Sequence, residues 1–375
     1  MLTNNLALLS LALCPYLGPK KIANLEKRFS CLQDVFLADS KQLNQAGLSL
    51  DISLNFIGWR KEFSLTKILN NLNQENISYI SWNDDTYPNS LKEISSPPPI
   101  IFYQGNVALL NNSQPKLAIV GSRKNTPYAK KIITDFMPNL IEHKIIIISG
   151  LALGVDTLAH RQVLIDKGET IAVLGSGLNA NNIYPRINKP LAQKIINNGG
   201  LIISEFPPDS PALKTNFPRR NRLISGLSEA VLIIEAAKKS GSLITANFAL
   251  EQNREVMAIP GNIFSPSSEG TNNLIKSGAA TISSVEDILN IFKIETNINK
   301  LGQKKTRFIK YQPTDETEKI IYEAILMADT IKETLSVDEI VKKTKLDTAT
   351  INSKLSILEI KKVIINCNGY FELSL

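Results

Sequence analysis

The chain has 375 residues and is 43% hydrophobic, so it can bury a large core and is expected to form two or three domains. Its net charge of +7 and pI of about 9.1 favour a polyanionic partner, although a coding bias towards Ile, Asn and Lys gives a similar excess of basic residues. The three cysteines are far apart and lack CxxC spacing, which argues against disulfides and zinc. No stretch is long enough to span a bilayer or convincing as a signal peptide, so a soluble cytoplasmic protein is expected.

Residues 1–75 are predicted to form an all-α N-terminal domain, because short amphipathic helical patterns occur there without strand alternation. The segment Leu17–Ile22 is typical of a helix-hairpin-helix or SAM-like domain, in which a glycine turn brings backbone N–H groups to a phosphate. A tight turn inside a small helical bundle explains the same pattern. A proline-rich connector follows, and Pro97–Pro99 lead into the apolar segment Ile100–Tyr103.

From about residue 115 to 294, apolar runs alternate with helical segments. The runs are rich in β-branched residues and nearly continuous, which indicates strands that are covered on both faces. This pattern predicts a Rossmann-like, doubly wound α/β domain with a mainly parallel sheet, which spans residues 76–294 with its extended lead-in. The predicted strands are Leu117–Val120, Ile145–Ser149, Ile171–Leu174, Leu201–Ser204, Ala230–Ile234 and Val256–Ile259.

The chain beyond this domain is predicted to contain a linker at 295–312 and a winged helix-turn-helix domain at 313–375. Three helical patterns precede a strand–turn–strand signal around Asn368-Gly369. The expected recognition helix, Asp347–Leu358, carries only Lys354 as a phosphate partner, so contact with a protein is as good an interpretation as contact with DNA. The predicted helices are Glu318–Met327, Val337–Thr344 and Ala349–Leu358.

Glycine-rich turns follow four of the predicted strands. In an open parallel sheet, ligands bind beyond the carboxyl ends of the strands. Turns that combine Gly with Ser or Thr before a helix expose backbone N–H groups and a positive helix end, which suits phosphate. One such glycine usually serves close packing, but the recurrence at one edge favours a shared anion pocket. The candidates are Gly121, Ser122, Arg123, Gly150, Gly154, Gly175, Gly177, Ser240, Gly241, Ser242 and Thr245.

A basic segment after the fourth predicted strand is the most informative part of the sequence. Lys214–Arg222 holds four cations, and no acidic residue lies between Asp209 and Glu229. Cations neutralise phosphates, and Phe217 offers a ring on which a base stacks for roughly 1–3 kcal/mol. A solvated charge run with a buried Phe217 is the alternative, but its place beside the glycine turns favours single-stranded nucleic acid. The candidates are Lys214, Asn216, Phe217, Arg220, Asn221 and Arg222.

Nucleotide and catalytic motifs are absent from the sequence. No GxxxxGK[ST] occurs, and the segment Gly175–Ala180 departs from GxGxxG at its last position, although some dinucleotide sites tolerate Ala there. We therefore predict no cofactor and no metal. The histidines lack a recognisable partner, so no catalytic residue is nominated. Asp156, Glu205 and Glu235 lie near strand ends, where acid–base work is conceivable, but for Asp156 a structural role in orienting its loop is the favoured interpretation.

Long ordered blocks in the central region resemble the DNA-processing protein A (DprA/Smf) family. The resemblance implies a non-catalytic recombination mediator that binds incoming single-stranded DNA during natural transformation, protects it and loads a RecA-type recombinase. It also implies a homodimer formed through the Rossmann-like domain. The blocks are LAIVGSRKNTPYAKKI (117–132), IISGLALGVDTLAHRQVL (147–164), IAVLGSGLNANNIYP (171–185), IISEFPPDSPALKTNFPRRNRLISGLS (202–228), IEAAKKSGSLITANFALEQNREVMAIPG (234–261) and EGTNNLIKSGA (269–279).

The resemblance places the DNA contacts of the family on Arg123, Lys214 and Phe217, with Arg220 and Arg222 beside them. One alternative remains open. The glycine-rich core also resembles nucleotide-metabolite hydrolases of the lysine-decarboxylase-like group, in which a carboxylate such as that of Glu235 would be the base. The absence of a PGGxGT motif counts against that alternative.

Overall fold

The computed structural model describes residues 3–294, 311, 313–330, 334–361, 363–367 and 369–373. The chain divides into two compact units, Met1–Thr296 and Asn297–Leu375. The predicted linker at 295–312 lies outside the described residues except for residue 311. Within the described residues, no helix is both long enough and apolar enough to cross a membrane.

The first unit begins with five helices. Side chains of Thr3, Asp39, Ser49 and Ser64 accept hydrogen bonds from backbone N–H groups and so begin four of them. Gly18 precedes Pro19 at the start of another, within the segment predicted as a helix-hairpin-helix. The helices are α1 (Asn4–Ala12), α2 (Pro19–Arg28), α3 (Ser40–Gln45), α4 (Leu50–Glu62) and α5 (Leu65–Gln74), with a 3-10 helix at Leu32–Phe36.

A nine-stranded sheet follows, in the order β1-β2-β6-β5-β4-β3-β7-β8-β9. The neighbours from β6 to β9 are parallel, whereas β1 and β2 extend the sheet as antiparallel strands. The predicted mixed α/β fold with a mostly parallel sheet is confirmed. The strands are β1 (Ser78–Ser81), β2 (Ile100–Gly105), β3 (Lys116–Val120), β4 (Ile146–Ser149), β5 (Thr170–Val173), β6 (Leu201–Ser204), β7 (Ala230–Ile233), β8 (Glu255–Ala258) and β9 (Ala280–Thr281).

Helices cover both faces of this sheet. They are α6 (Asn89–Lys92), α7 (Pro127–Glu142), α8 (Val155–Ile165), α9 (Lys189–Asn197), α10 (Asn216–Gly226), α11 (Ser242–Glu251), α12 (Glu269–Lys276) and α13 (Val285–Ile291), and further 3-10 helices lie at Val107–Leu110 and Arg186–Asn188. Along β3, Leu117 and Ile119 belong to the core formed with α7, α8 and α13. Ala118 and Val120 belong to the opposite core, formed with α10 and α11. This alternation of neighbouring side chains explains why consecutive residues in the middle of these strands are apolar.

The N-terminal helices share a core with the sheet. Leu8, Leu25 and Phe56 are fully buried in one cluster with Ile100 of β2 and Ala172 of β5. The first 75 residues therefore pack directly against the central sheet and belong to the same compact unit.

The second unit contains three helices and a three-stranded antiparallel sheet in the order β10-β12-β11. Lys354, the cation expected to face a phosphate, instead pairs with Asp315. The elements are α14 (Glu316–Thr330), α15 (Val337–Thr344), α16 (Thr348–Ile360), β10 (Leu335–Ser336), β11 (Ile364–Cys367) and β12 (Tyr370–Leu373). These helices overlap the predicted ones, but the pairing leaves α16 without a free Lys among its described side chains.

Glu318 anchors the first turn of α14 from a fully buried position. It accepts hydrogen bonds from the Thr314 N–H at 2.8 Å and from Lys361 Nζ at 2.8 Å, and another from the Tyr311 hydroxyl. Burial acts to raise the pKa of Glu318, but the hydrogen bonds from Lys361, Thr314 and Tyr311 outweigh it and lower the pKa to about 2.

We expect the second unit to lose stability as the pH falls from about 4.5 towards about 2, because the unfolded chain protonates Glu318 before the folded chain does. Above this range the contribution of Glu318 is complete. Amide hydrogen exchange of α15 and α16, followed at pH 5 and pH 3, should show wild-type protection falling towards that of Glu318→Gln. Equal protection of the two proteins at both pH values would contradict this role.

Candidate nucleic-acid interface

The carboxyl ends of the parallel strands meet at one edge of the central sheet. The loops that leave β3, β4, β6 and β7 there lead into α7, α8, α10 and α11. The N-termini of these helices therefore gather at this edge, where their dipoles favour an anion. All the candidate residues from the sequence lie in these loops, in the loop after β5, or in the first two turns of these helices.

The turn after β3 brings two cations, Arg123 and Lys124, to the surface. Gly121 packs so closely against Val155 that a Cβ would lie 2.7 Å from its side chain. The Ser122 hydroxyl bonds within its own turn, and its carbonyl accepts a hydrogen bond from the Val155 N–H at 3.1 Å. Arg123 is exposed, and its guanidinium carbon lies 5.4 Å from the centroid of the Phe217 ring. Arg123 is therefore the exposed cation of this turn that lies beside the Phe217 ring.

The glycines after β4 hold the turns together. Gly150 is buried, and its N–H donates to Asp156 Oδ2 at 3.0 Å while its carbonyl accepts from Arg220 Nη1 at 2.7 Å. Gly154 has a φ of +81°, and a Cβ there would lie 2.1 Å from the Ser122 carbonyl oxygen, so only glycine fits. Asp156 orients this loop, as expected. The Gly150 N–H is thus engaged inside the protein.

The loop after β5 supports the aromatic ring of Phe217. Gly175 is buried beneath it, and a Cβ would lie 2.9 Å from ring atom Cδ1. Gly177 is also buried, and its N–H donates to the Ser210 carbonyl at 2.8 Å. Further along the loop, the Tyr184 ring lies 5.7 Å from the Phe217 ring at an interplanar angle of 45°.

The basic segment enters α10 at Asn216. Lys214 is exposed just ahead of the helix, and Phe217 is half-buried in its first turn. Asn216 is buried, with its Nδ2 3.5 Å from the Pro211 carbonyl oxygen. Lys214 and Phe217 thus lie three positions apart, one exposed and the other packed beside Arg123.

Arg220 and Arg222 serve the interior in this structure. Only 4% of Arg220 and 8% of Arg222 are exposed. Arg220 donates to the carbonyls of Gly150 and Val173, and burial lowers its pKa to about 10. Arg222 forms an ion pair with Glu205. Direct contact of either guanidinium with DNA would require these internal bonds to break, so their role here is to hold α10 on the sheet.

The loop after β7 is connected to α10 through Asn221. Its Nδ2 donates to the Gly241 carbonyl at 3.3 Å, and its Oδ1 accepts from Arg220 Nε at 3.2 Å. Gly241 is exposed, whereas Ser242 and Thr245 are buried and Ser240 is partly buried. The Ser240 and Ser242 hydroxyl oxygens lie 2.8 Å apart. These residues organise the start of α11 and lie beside α10.

The geometry therefore gathers Arg123, Tyr184 and Phe217 into what we call the aromatic cluster. It lines a small pocket of about 30 Å³ at the carboxyl edge. Tyr184 was not among the candidates from the sequence. The sequence does contain a signal for it: Tyr184 is an aromatic residue next to Pro185, in a loop that leaves a predicted strand at the same edge.

The family model for DNA recombination-mediator protein A matches residues 78–293. The chain belongs to this family. Over 251 residues it is 43% identical to Protein Smf of Escherichia coli (strain K12). The aligned residues cover 67% of this chain and 66% of that protein. The predicted family membership is thus confirmed, and the match includes the whole aromatic cluster.

Two solved structures of DNA processing protein A are similar to the chain. The X-ray structure from Streptococcus pneumoniae has a TM-score of 0.65 at 34% identity, and the match covers 77% of this chain and 97% of that chain. A structure from Helicobacter pylori, reported for its single-stranded DNA binding mode, has a TM-score of 0.52 at 32% identity, with coverage of 58% and 96%. The recombination-mediator family thus has solved representatives of the same architecture.

Proposed function

We propose that this protein is a recombination mediator that binds single-stranded DNA at the carboxyl edge of its central sheet, through Arg123, Lys214 and Phe217. The observation that carries the proposal is the exposed Arg123 guanidinium packed against an aromatic pair at an edge where Lys214 is also exposed. The DNA-binding relative from Helicobacter pylori supports it. Cations neutralise phosphates while a ring stacks a base of any identity, so binding is sequence-tolerant.

Membership of the family supports a wider role. We propose that the protein acts in DNA uptake and natural transformation, protects the bound strand and helps to load a RecA-type recombinase. It works in the cytoplasm as a homodimer formed through the Rossmann-like domain. We also propose that the second unit is a winged helix-turn-helix that contacts a protein partner. The pairing of Lys354 with Asp315 makes α16 poorly suited to bind the phosphates of DNA.

The proposal includes no catalytic step. The hydrolase alternative needs a carboxylate base, for which Glu235 is the candidate. Glu235 is 2% exposed, and its two carboxylate oxygens accept hydrogen bonds from the Thr126 N–H, at 3.1 Å, and from the Thr126 hydroxyl. That arrangement favours a structural role at the start of α7. His160 is fully buried and forms a hydrogen bond with Thr170, which favours a structural role for His160 as well.

Titration with an oligonucleotide, single- against double-stranded and at two salt concentrations, tests the proposal. We expect Arg123→Ala and Lys214→Ala each to weaken single-strand binding roughly tenfold, because each removes a charge-assisted phosphate contact worth about 1.5 kcal/mol. Each should also flatten the slope of log affinity against log salt by about 0.7.

Lys194→Ala is the matched control. Lys194 is exposed in the last turn of α9, and helices in this fold end at the opposite edge of the sheet. Its replacement should therefore leave the affinity within about twofold, since a distant exposed charge is screened by salt. If Arg123→Ala and Lys214→Ala both bind like the wild type, the proposed surface is wrong.

A further inference from the structure

A groove of about 500 Å³ lies between α8 and α9. Leu191, which is buried in the core, and Leu164, which packs partly buried against it, line this groove. Ile165 at the end of α8 and Ile187 just before α9 also line it, and they are 69% and 71% exposed. A single exposed apolar residue is ordinary, but two large ones on the same groove are typical of an interaction surface.

The groove is also positively charged. Arg161 of α8 and Lys194 of α9 line it, both are exposed, and no carboxylate of the described residues forms an ion pair with either. No acidic residue lies between Glu169 and Glu205 in the sequence. Asp166, at the end of α8, is not among the lining residues and accepts a hydrogen bond from a glutamine one turn earlier. The groove therefore favours an anionic ligand.

The chemistry of the groove favours a peptide over a nucleic acid. Unpaired bases bind by stacking on aromatic rings, whereas each apolar side chain that lines the groove, among the described residues, is aliphatic. Aliphatic grooves between helices accept the bulky apolar side chains of a peptide segment. The aliphatic lining residues are Leu164, Ile165, Ile187, Pro190 and Leu191.

The linker of the chain itself has the wrong charge for this surface. Residues 295–312 contain five cations and a single acidic residue, so Arg161 and Lys194 would repel this segment. The cations are Lys300, Lys304, Lys305, Arg307 and Lys310. The partner is therefore sought in another chain.

We propose that this groove binds an acidic segment of another protein that carries bulky apolar side chains. Its apolar side chains lie against Ile165 and Ile187, and its carboxylates pair with Arg161 and Lys194. The groove shares no lining residue with the pocket of the aromatic cluster, so the segment and a single strand bind at separate places.

The test is fluorescence anisotropy of a fluorescein-labelled peptide of Glu and Leu residues with the full chain. The wild type should bind this peptide, and Arg161→Glu combined with Lys194→Glu should weaken binding at least about tenfold, because like charges then face each other. Ile187→Ser should weaken it roughly tenfold, because the burial of one isoleucine against the peptide is lost. A peptide with Ser in place of Leu should bind the wild type more weakly by a similar factor, and excess oligo-thymidine should not displace the Glu and Leu peptide.

Lys61→Glu combined with Lys276→Glu is the matched control. It changes the net charge equally, at exposed lysines in the last turns of α4 and α12, and should bind the peptide like the wild type. The proposal is overturned if the wild type does not bind the peptide, if the groove variants bind as tightly as this control, or if oligo-thymidine displaces the peptide. Loss of a dimer in Ile187→Ser, measured by sedimentation, would also overturn it, because a second copy of this chain would then cover the groove. Thermal unfolding of each variant checks that it is folded.

Discussion

Arg220→Met should lower the free energy of unfolding of the first unit by about 3–5 kcal/mol, as expected when one partner of a buried charged network is removed. Arg220 is 4% exposed and bonds the carbonyls of Gly150 and Val173 at the ends of two neighbouring strands. Methionine fills most of the volume but leaves both buried carbonyls without this donor. It also removes the positive charge that opposes the rise in pKa that burial imposes on Asp156.

Urea unfolding monitored by tryptophan fluorescence measures this change, because both tryptophans, Trp59 and Trp82, lie in the first unit. Arg219→Met is the control. Arg219 is exposed, and its guanidinium carbon lies 5.3 Å from the Phe206 ring centroid, a contact worth about 0.5–1 kcal/mol at an exposed site. A loss for Arg220→Met no larger than that for Arg219→Met would show that the internal bonds of Arg220 do not hold α10 on the sheet.

The second large expected effect is a loss of stability in mild acid that depends on His160. This residue is fully buried, and its Nδ1 lies 2.8 Å from Thr170 Oγ1. Burial, and to a lesser degree the charge of Arg220, lowers the pKa of His160 from 6.5 to about 3. The folded protein therefore keeps His160 neutral over a pH range in which the unfolded chain takes up a proton.

The contribution of His160 is complete above about pH 6.5 and is lost as the pH falls towards 3, at up to about 1.4 kcal/mol per pH unit. His160→Gln should remove this dependence, so the stability difference between wild type and variant should change steeply between pH 7.5 and 4.5. Urea unfolding at several pH values measures it. His143→Gln, at the partly exposed end of α7, controls for the loss of an imidazole outside the buried core. Parallel profiles for His160→Gln and wild type would refute the assignment.

The central strands could be predicted from the sequence because their burial on both faces leaves a local signal. All six predicted runs coincide with β3–β8 to within about one residue at each end. The edge strands were harder to predict. Ser78–Ser81 contains two serines, and Ala280–Thr281 is only two residues long, so neither forms an apolar run.

The candidate site was predictable in position but not in the direction of its side chains. The strand–loop–helix pattern placed the basic segment at the carboxyl edge. Whether a cation there faces solvent depends on partners that are distant in sequence. The Gly150 carbonyl lies 70 residues from Arg220, and Glu205 lies 17 residues from Arg222. Four cations therefore looked alike in the sequence, although two of them are internal.

The most direct test of the account is photocrosslinking with an oligonucleotide that contains 5-iodo-2′-deoxyuridine, followed by mass spectrometry of the crosslinked peptides. A halogenated base stacked on the aromatic cluster lies against a ring with which it reacts, so we predict crosslinks to peptides that contain Tyr184 or Phe217. Crosslinks confined to residues 1–75 or 313–375, with none in the central domain, would contradict the claim that single-stranded DNA binds at the carboxyl edge of the central sheet.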